Sequence, residues 1–516
     1  MRGFDTVNAL IPDLIAQHGL WQQGKPALVE GARSLDWREF DAATNRVANG
    51  LASLGLASGD RLAVLMSNSL EMALMLFGAG KVGVSVVPLN VAVTDESVAA
   101  TIVDSGATAV AASDVYCKRI DGLLACGKLP AGMNLLGVAA QSSNWLDIPG
   151  WLAAQSSAPP GVTITPETEC NIIYSSGTTG LPKGIVHDHQ CRLRWATDTA
   201  IALRYHSGCV TVCSLGLFSN ISWVSMLATI LVGGTLVVMP KFTPQDLGAT
   251  VRRFKCTHGA FVPVQLARVL ESPGFERADY ASLETIVCCG SPLAITLKRN
   301  ARDALDCQLI ELYGLTEGIV TTLAPEDFDR KIESVGKPVL GQQLVILGND
   351  DNVLPRGEPG EIVGRGPLAM NGYHNRPDAT KEVTWAHPDG SRWLRTGDIG
   401  RLDEEGFLYL VDRKKDMILS GGQNVYPADI ECVMLRHPDI SEVAVIGIPS
   451  EKWGETPLAI VVLREGAQVD AEALRVWTNE RVGRQQRIAG VRFIAELPRN
   501  PSGKVLKREL RRQYPA

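Results

Sequence analysis

The sequence predicts an α/β protein. It should have a large N-terminal domain with parallel sheets sandwiched by helices plus a β-rich subdomain, then a small mobile α+β C-terminal domain. Three observations carry this expectation. Apolar β-branched runs alternate with helical stretches over the first four hundred residues, the rhythm of parallel strands joined by crossover helices. From about Gly341 the pattern changes to short strands between Gly and Pro turns. From Asp412 to the end the charge balance reverses, with 17 Lys and Arg against 14 Asp and Glu, where the rest carries 33 against 42. A small basic body attached to a large acidic one suits closure on an anionic ligand.

The elements follow in order. RLAVLMS (61–67) reads as a strand, LEMALMLFGAGKVG as a helix, VSVVPLN as the next strand, and TAVAAS (108–113) as another. Between Gly208 and Pro240 there is no Asp, Glu, Lys or Arg, long enough to raise a membrane span. Gly233-Gly234 divides that stretch, so it reads as helix (ISWVSMLATILV), tight turn and strand (TLVVM), all buried in a large core. THGAFVPVQLARVLE, LETIVCCG and QLIELYG continue the alternation to residue 314, and QLVIL, GEIVGRG and FLYLVD are the later short strands.

At 516 residues the chain exceeds one simple core, so two or more domains are expected. A net charge of −6 argues against a nucleic-acid-binding surface. Asp5 and Pro12 interrupt any apolar N-terminal segment, which argues against a secretory signal. Eleven cysteines, with no Cys-x-x-Cys and a vicinal Cys288-Cys289 pair, read as reduced thiols of a cytoplasmic protein.

One loop carries the chemistry. NIIYSSGTTGLPKG (171–184) sets three glycines, four hydroxyls and a lysine behind an apolar run. Gly177, Gly180 and Gly184 let backbone approach a ligand, and successive N–H groups in such a turn form an anion nest. Ser175, Ser176, Thr178 and Thr179 add donors, and Lys183 adds a point charge suited to phosphate. The Walker A loop is excluded, because its second glycine would fall on Pro182 and its Ser/Thr on Gly184. GRGPLA (364–369) mimics a dinucleotide fingerprint, but Pro367, Gly372 and Pro377 break the helix that must follow. His187 and His189 alternate at a strand end, a spacing more often packed or solvated than zinc-binding.

The loop resembles the signature of the adenylate-forming superfamily, the AMP-forming acyl- and aryl-CoA synthetases with beetle luciferases and peptide-synthetase adenylation domains. LYGLTEG (312–318), WLRTGD (393–398), DRKKDMILSGGQNVYPADIE (412–431) and NPSGKVLKREL (500–510) follow in the order of that superfamily. The resemblance implies two half-reactions: a carboxylate attacks the α-phosphate of ATP, and the thiol of coenzyme A then displaces AMP. Anion meets anion in the first, so donors and positive charge must converge where charge develops.

By the same resemblance Lys504 bridges the carboxylate and the α-phosphoryl oxygens, Thr316 bonds the α-phosphate, and Glu317 holds Mg2+. Tyr313 stacks on adenine, flanked by Gly290, Ser291 and Pro292 and by the strand end Glu311, Leu312 and Gly314. Asp398 accepts from the ribose hydroxyls, and Arg413 assists. Residues 1–411 are expected to form the large domain, 412–416 the hinge with Lys415 at its pivot, and 417–516 the lid. The lid presents Lys504 first, then swings Gly421 and Gly422 beside the pantetheine, where a narrow tunnel needs backbone without side chains.

Many CoA-forming relatives carry an aromatic-His pair before the helix at 221; here Phe218 keeps the aromatic and Ser219 replaces the histidine. Phe218, Asn220, Trp223, Val262, Val264, Cys289 and Gly314 are the expected acyl-pocket lining. None is Arg, Lys or His, and an unpaired buried charge is costly, so an uncharged aromatic or medium-chain monocarboxylate is expected. The other enzyme reading is a stand-alone adenylating ligase that loads a carrier-protein phosphopantetheine. Expected partners are the acid, ATP and CoA, without nucleic acid or a membrane span; a homodimer is left open.

Overall fold

The computed structural model describes residues 9–139, 142–175, 183–413, 416–420, 423–450, 453–499 and 505–515. The chain divides into two compact units. The first comprises Met1–Phe328, Pro338–Gln342 and Arg365–Thr384; the second comprises Asp329–Lys337, Gln343–Gly364 and Trp385–Ala516.

Two largely parallel sheets build the first unit. One runs, in spatial order, Val320–Leu323, Gln308–Gly314, Thr285–Cys289, His258–Phe261, Val210–Cys213, Thr235–Val238, Pro26–Glu30 and Arg33–Asp36, with Lys337–Pro338 at its edge. Its middle strands are parallel, and the outer pairs at either end are antiparallel. The other runs Gly372–Tyr373, Lys183–Asp188, Glu169–Ser175, Ser85–Pro88, Arg61–Leu65, Ala109–Ser113, Asn134–Val138 and Leu146–Asp147. Strands such as Thr285–Cys289 and Ser85–Pro88 are buried along their whole length. That is why they read as unbroken apolar runs, since a parallel sheet is covered on both faces.

The uncharged stretch resolves as expected. Asn220–Val232 is a helix, Gly233 closes it in the left-handed conformation at φ 66°, and Thr235–Val238 is a fully buried strand. The glycines are required. A Cβ at Gly233 would come 2.0 Å from Gln22 Nε2, and one at Gly234 would come 2.8 Å from the Cys209 carbonyl. Among the described residues no helix is long and apolar enough to cross a membrane. Its apolar faces instead join a core shared with Phe40, Phe77, Trp195 and Trp223.

The second unit holds two five-stranded sheets. Gln343–Leu347, Gly360–Arg365, Arg392–Leu402 and Thr384–Ala386 form one, with Leu408–Arg413 paired to Arg392–Leu402. In the other, Gln423–Val425, Ile418–Ser420, Gly454–Leu463 and Ile440–Ser450 are antiparallel, and Gly490–Phe493 adds in parallel. Around residues 412–416 the anchors are side chains. Asp412 accepts from the Ala428 N–H at 3.1 Å at the start of helix Pro427–Met434, and Arg511 donates to Asp416 at 3.0 Å.

Candidate active site

In the first unit the expected residues gather where strands of the nine-stranded sheet end. Gly290 follows strand Thr285–Cys289, and Tyr313 and Gly314 close strand Gln308–Gly314. Phe218 lies between Val210–Cys213 and the next helix, Asn220 opens that helix, and Val262 caps Pro263–Leu270 directly after His258–Phe261. The carboxyl ends of parallel strands are where open α/β sheets bind ligands, because the loops that connect to the crossover helices diverge there.

The turn after Gly314 is built tightly. Gln342 donates through Nε2 to the Gly318 carbonyl at 2.6 Å, and Met370 donates its N–H to the Glu317 carbonyl at 2.9 Å. Gly318 has φ 115°, and a Cβ there would sit 2.1 Å from the Leu368 carbonyl oxygen. No other residue fits that crossing. Thr316 and Glu317 are thereby held half-buried beside the segment 366–374.

Three groups meet at Tyr373. Its hydroxyl donates to Glu317 Oε1 at 2.9 Å, and Lys183 Nζ lies 4.9 Å above its ring. Burial, with the Glu317 carboxylate next, pushes the phenol well above its ordinary range, so it stays protonated and a donor. Ser175 and Lys183 are cross-strand partners, so the strand pair fixes both ends of the glycine-rich loop. Ser176, Gly177, Thr178, Thr179 and Gly180 lie outside the described residues. Tyr373 was missed at the sequence level; its place in GYHNRP gave no signal of contact with residues 183 and 317.

His187 supports the turn from beneath, donating through Nε2 to the Thr316 carbonyl at 2.9 Å. It is fully buried, and burial, aided by the nearby Arg192 charge, holds its imidazole neutral far below the ordinary range. Both His187 and His189 are therefore packed, in keeping with their alternate spacing at a strand end.

The acyl-pocket residues divide. Gly290 takes φ 92°, and a Cβ there would come 2.8 Å from Ile221 Cδ1 and 3.4 Å from Val262 Cγ1. Gly290, Ile221 and Val262 thus form one apolar wall, with buried Cys289 behind it. Phe218 folds over Gly216, whose Cβ would fall 2.2 Å from the ring. Ser219 accepts from the Ile221 N–H as N-cap of helix Asn220–Val232, a helix-starting role that serine fills well. Two of the expected lining side chains, Trp223 and Val264, and Glu311 from the expected adenine wall are placed otherwise. Trp223 is 1% exposed and packs on Phe77 with ring centroids 5.9 Å apart. Val264 is 41% exposed. Glu311 is buried in an ion pair with Lys298, so only its backbone remains available.

One cation, Arg192, contacts the expected lining residue Asn220. Its Nε donates to Asn171 Oδ1 at 2.7 Å and its Nη1 to Asn220 Oδ1 at 2.9 Å. Its guanidinium carbon stands 5.0 Å over the Trp223 ring and 5.9 Å over the Trp195 ring. Burial lowers its pKa to about 10, so it remains charged at neutral pH. Sequence spacing could not pair residues 192 and 220, which lie on different helices. The bond fixes the Asn220 amide with its oxygen toward Arg192 and its NH2 turned away from the guanidinium.

In the second unit Asp398 and Arg413 are direct cross-strand partners. Asp398 is buried, and its N–H donates to Thr396 Oγ1 at 3.1 Å after Gly397 turns at φ 69°. Lys504, Lys415, Gly421 and Gly422 lie outside the described residues, as does the Arg413 side chain. Ser291 and Pro292 follow Gly290 and are half-buried and exposed; Leu312 is buried and Tyr313 half-buried.

Residues 17–374 match the AMP-binding enzyme family and residues 429–504 its AMP-binding enzyme C-terminal domain. The chain belongs to that family of adenylate-forming enzymes. It is 34% identical to the long-chain-fatty-acid–CoA ligase FadD13 of Mycobacterium tuberculosis, covering 93% of each chain. It is 32% identical to a feruloyl-CoA synthase of Amycolatopsis sp., covering 95% of this chain and 96% of the relative. Among solved structures, ATP-bound MatB from Rhodopseudomonas palustris superposes with a TM-score of 0.88 at 28% identity, covering 98% of this chain and 99% of that one.

Proposed function

We propose that the protein is an AMP-forming acid–thiol ligase that converts an organic carboxylic acid to its acyl-adenylate and then to its CoA thioester. The observation that carries this reading is the meeting of Lys183, Tyr373 and Glu317, with Thr316 in the same turn, while the Gly290–Ile221–Val262 wall follows the strand next to Gln308–Gly314. Homology supports it, since relatives that match over nearly the whole chain are named as CoA ligases for fatty and aromatic acids.

In the first half-reaction a carboxylate oxygen attacks the α-phosphorus and pyrophosphate leaves. In the second the CoA sulfur attacks the acyl carbon, AMP leaves and the thiol proton is released. The glycine-rich loop with Lys183 would hold the phosphates, and Thr316 would donate to the α-phosphoryl oxygen that gains charge. Glu317 is a hard oxygen donor that suits Mg2+, and the Tyr373 hydroxyl fixes the direction of its carboxylate. Mg2+ would neutralise phosphate charge there. Lys504 would bridge the two reacting anions. Asp398 and Arg413, paired across two strands, would take the ribose. Residues 412–416 would serve as the hinge and 417–516 as the lid.

The apolar wall fits the body of an aromatic or medium-chain monocarboxylate. Asn220, its oxygen occupied by Arg192, would offer its NH2 to an oxygen on the tail. The test incubates purified protein with ATP, Mg2+, free CoA and a panel of aryl, fatty and dicarboxylic acids. Acid-dependent AMP release with CoA thioester formation is expected, and Lys504→Ala should abolish adenylate formation while leaving ATP binding largely in place. AMP release without CoA thioester would point to a carrier protein as acceptor, a reaction type named for the fatty acid–[acyl-carrier-protein] ligase ScoC of Streptomyces coeruleorubidus, 32% identical over 96% of this chain and 95% of that protein. No AMP release with any acid would end the proposal.

A further inference from the structure

The strands that end at the candidate active site begin at a second cluster of chemical groups. Cys209 precedes strand Val210–Cys213, His258 opens His258–Phe261, and Glu284 precedes Thr285–Cys289. His206 sits in the same loop as Cys209. One ligand atom from each of His206, Cys209 and His258 lies within 4.8 Å of the others. We propose that these three residues bind a zinc-class divalent cation at the edge of the sheet opposite the candidate active site.

The distances fit. Cys209 Sγ and His258 Nε2 are 3.7 Å apart. Two ligands at ordinary zinc–sulfur and zinc–nitrogen lengths on a tetrahedral ion stand about 3.6 Å apart. Both histidines also carry the outer partner that metal-bound imidazoles use, an oxygen on the nitrogen away from the ion. His206 Nε2 is 2.8 Å from Glu284 Oε2, a carboxylate–histidine pair that assigns Nδ1 to the ion; Nδ1 accepts the Gly208 N–H at 3.2 Å and gives up that bond on binding. His258 Nδ1 is 2.9 Å from Thr257 Oγ1, which leaves Nε2. The sulfur accepts the backbone N–H of His206 at 3.1 Å, a bond that stabilises a thiolate. Lys25 donates to the carbonyls of Ser207 and Gly233, which ties down the loop that carries Cys209.

Protons and charge balance. Without an ion, the proton on His258 Nε2 faces Cys209 Sγ and the Arg204 carbonyl, 3.3 Å away. On binding, that imidazole takes its other tautomer and donates from Nδ1 to Thr257, whose own hydroxyl proton turns to the Val210 carbonyl at 3.4 Å. The Cys209 proton leaves to solvent. The thiolate and the Glu284 carboxylate together offset the two positive charges. His258 and Cys209 are buried while His206 and Glu284 face solvent, so the ion has both an anchored side and an entry path. Three protein ligands leave a fourth position for water. The ion would tie the loop after helix His189–Ala202 to two neighbouring strands, a structural or regulatory role away from the phosphate chemistry.

The experiment titrates chelator-treated, full-length protein with Co2+ and follows the thiolate-to-cobalt charge-transfer band, with Zn2+ as the displacing ion. One equivalent with that band, displaced by Zn2+, is expected. Cys209→Ser should remove the band, and the exposed His206→Gln, which leaves the core untouched, should weaken binding by tenfold or more. Glu284→Gln should weaken it about tenfold through the outer bond alone. Absence of stoichiometric uptake, cobalt bound without the thiolate band, or a band that survives both Cys209→Ser and His206→Gln would each overturn the site.

Discussion

Replacing Gly318 with alanine tests how the turn that holds Thr316 and Glu317 is set. The new Cβ would lie 2.1 Å from the Leu368 carbonyl and 2.5 Å from Ala369 Cα, all backbone, so no side chain can rotate away. Ordinary contact needs a separation about 1.3 Å larger, and shifts of that kind in packed backbone cost about 1–3 kcal/mol. A φ of 115° adds about 1–3 kcal/mol for a residue with a Cβ. Together the variant should lose about 2–6 kcal/mol of stability in the first unit. The strain relaxes by moving segment 366–370 away from the turn, which pulls on the Met370 bond to Glu317. A displacement near 1 Å at groups that position a reacting phosphate costs about a hundredfold in rate. The assay is acid-dependent pyrophosphate release at saturating ATP, with thermal unfolding of the same preparation. Gly390→Ala is the control, since that glycine has φ 85° but open space around it. A Gly318→Ala protein that melts and turns over like the control would refute the crossing as the device that sets the turn.

Three further outcomes follow from the geometry. Tyr373→Phe removes the hydroxyl that donates to the Glu317 carboxylate and should lower pyrophosphate release about tenfold, partly restored by excess Mg2+; an unchanged Mg2+ dependence would separate Tyr373 from that role. Arg192→Met frees the Asn220 amide and should erase any preference for acids with a tail oxygen over their plain analogues, while leaving the rate with the plain acids within a few fold; an unaltered ratio of kcat/KM values contradicts the positioning. His189 is buried with no hydrogen-bond partner on either nitrogen among the described residues, and burial depresses its pKa to about 4. Its neutral form is the folded form, so between about pH 6.5 and 4 the unfolded chain binds the extra proton. Stability from this group is complete above 6.5 and falls by up to about 1.4 kcal/mol per unit as the pH drops through that window. His189→Leu should flatten the decline of melting temperature between pH 7 and 5, and an equally steep decline would show that the loss comes from other groups.

Much of the chain was legible because local pattern and tertiary demand agree. Strands buried on both faces appear as unbroken apolar runs, and the uncharged 208–240 stretch divides at glycines that the packing requires. What stayed hidden involves partners distant in the chain. Tyr373 reaches Glu317 across 56 residues, and Arg192 reaches Asn220 from another helix. Glu311 and Trp223 looked available as letters in a motif, but Lys298 and Phe77 had already claimed them.

The linear order of residues fixed the alternation of strand and helix, the phosphate-loop composition and the family, since each depends on spacing along one covalent chain. Only the tertiary structure decided which polar groups neutralise one another, which side chains keep a free face, and which glycines leave no room for a methyl group. Those outcomes depend on distances between segments brought together by burial, and a one-dimensional pattern carries no such distances.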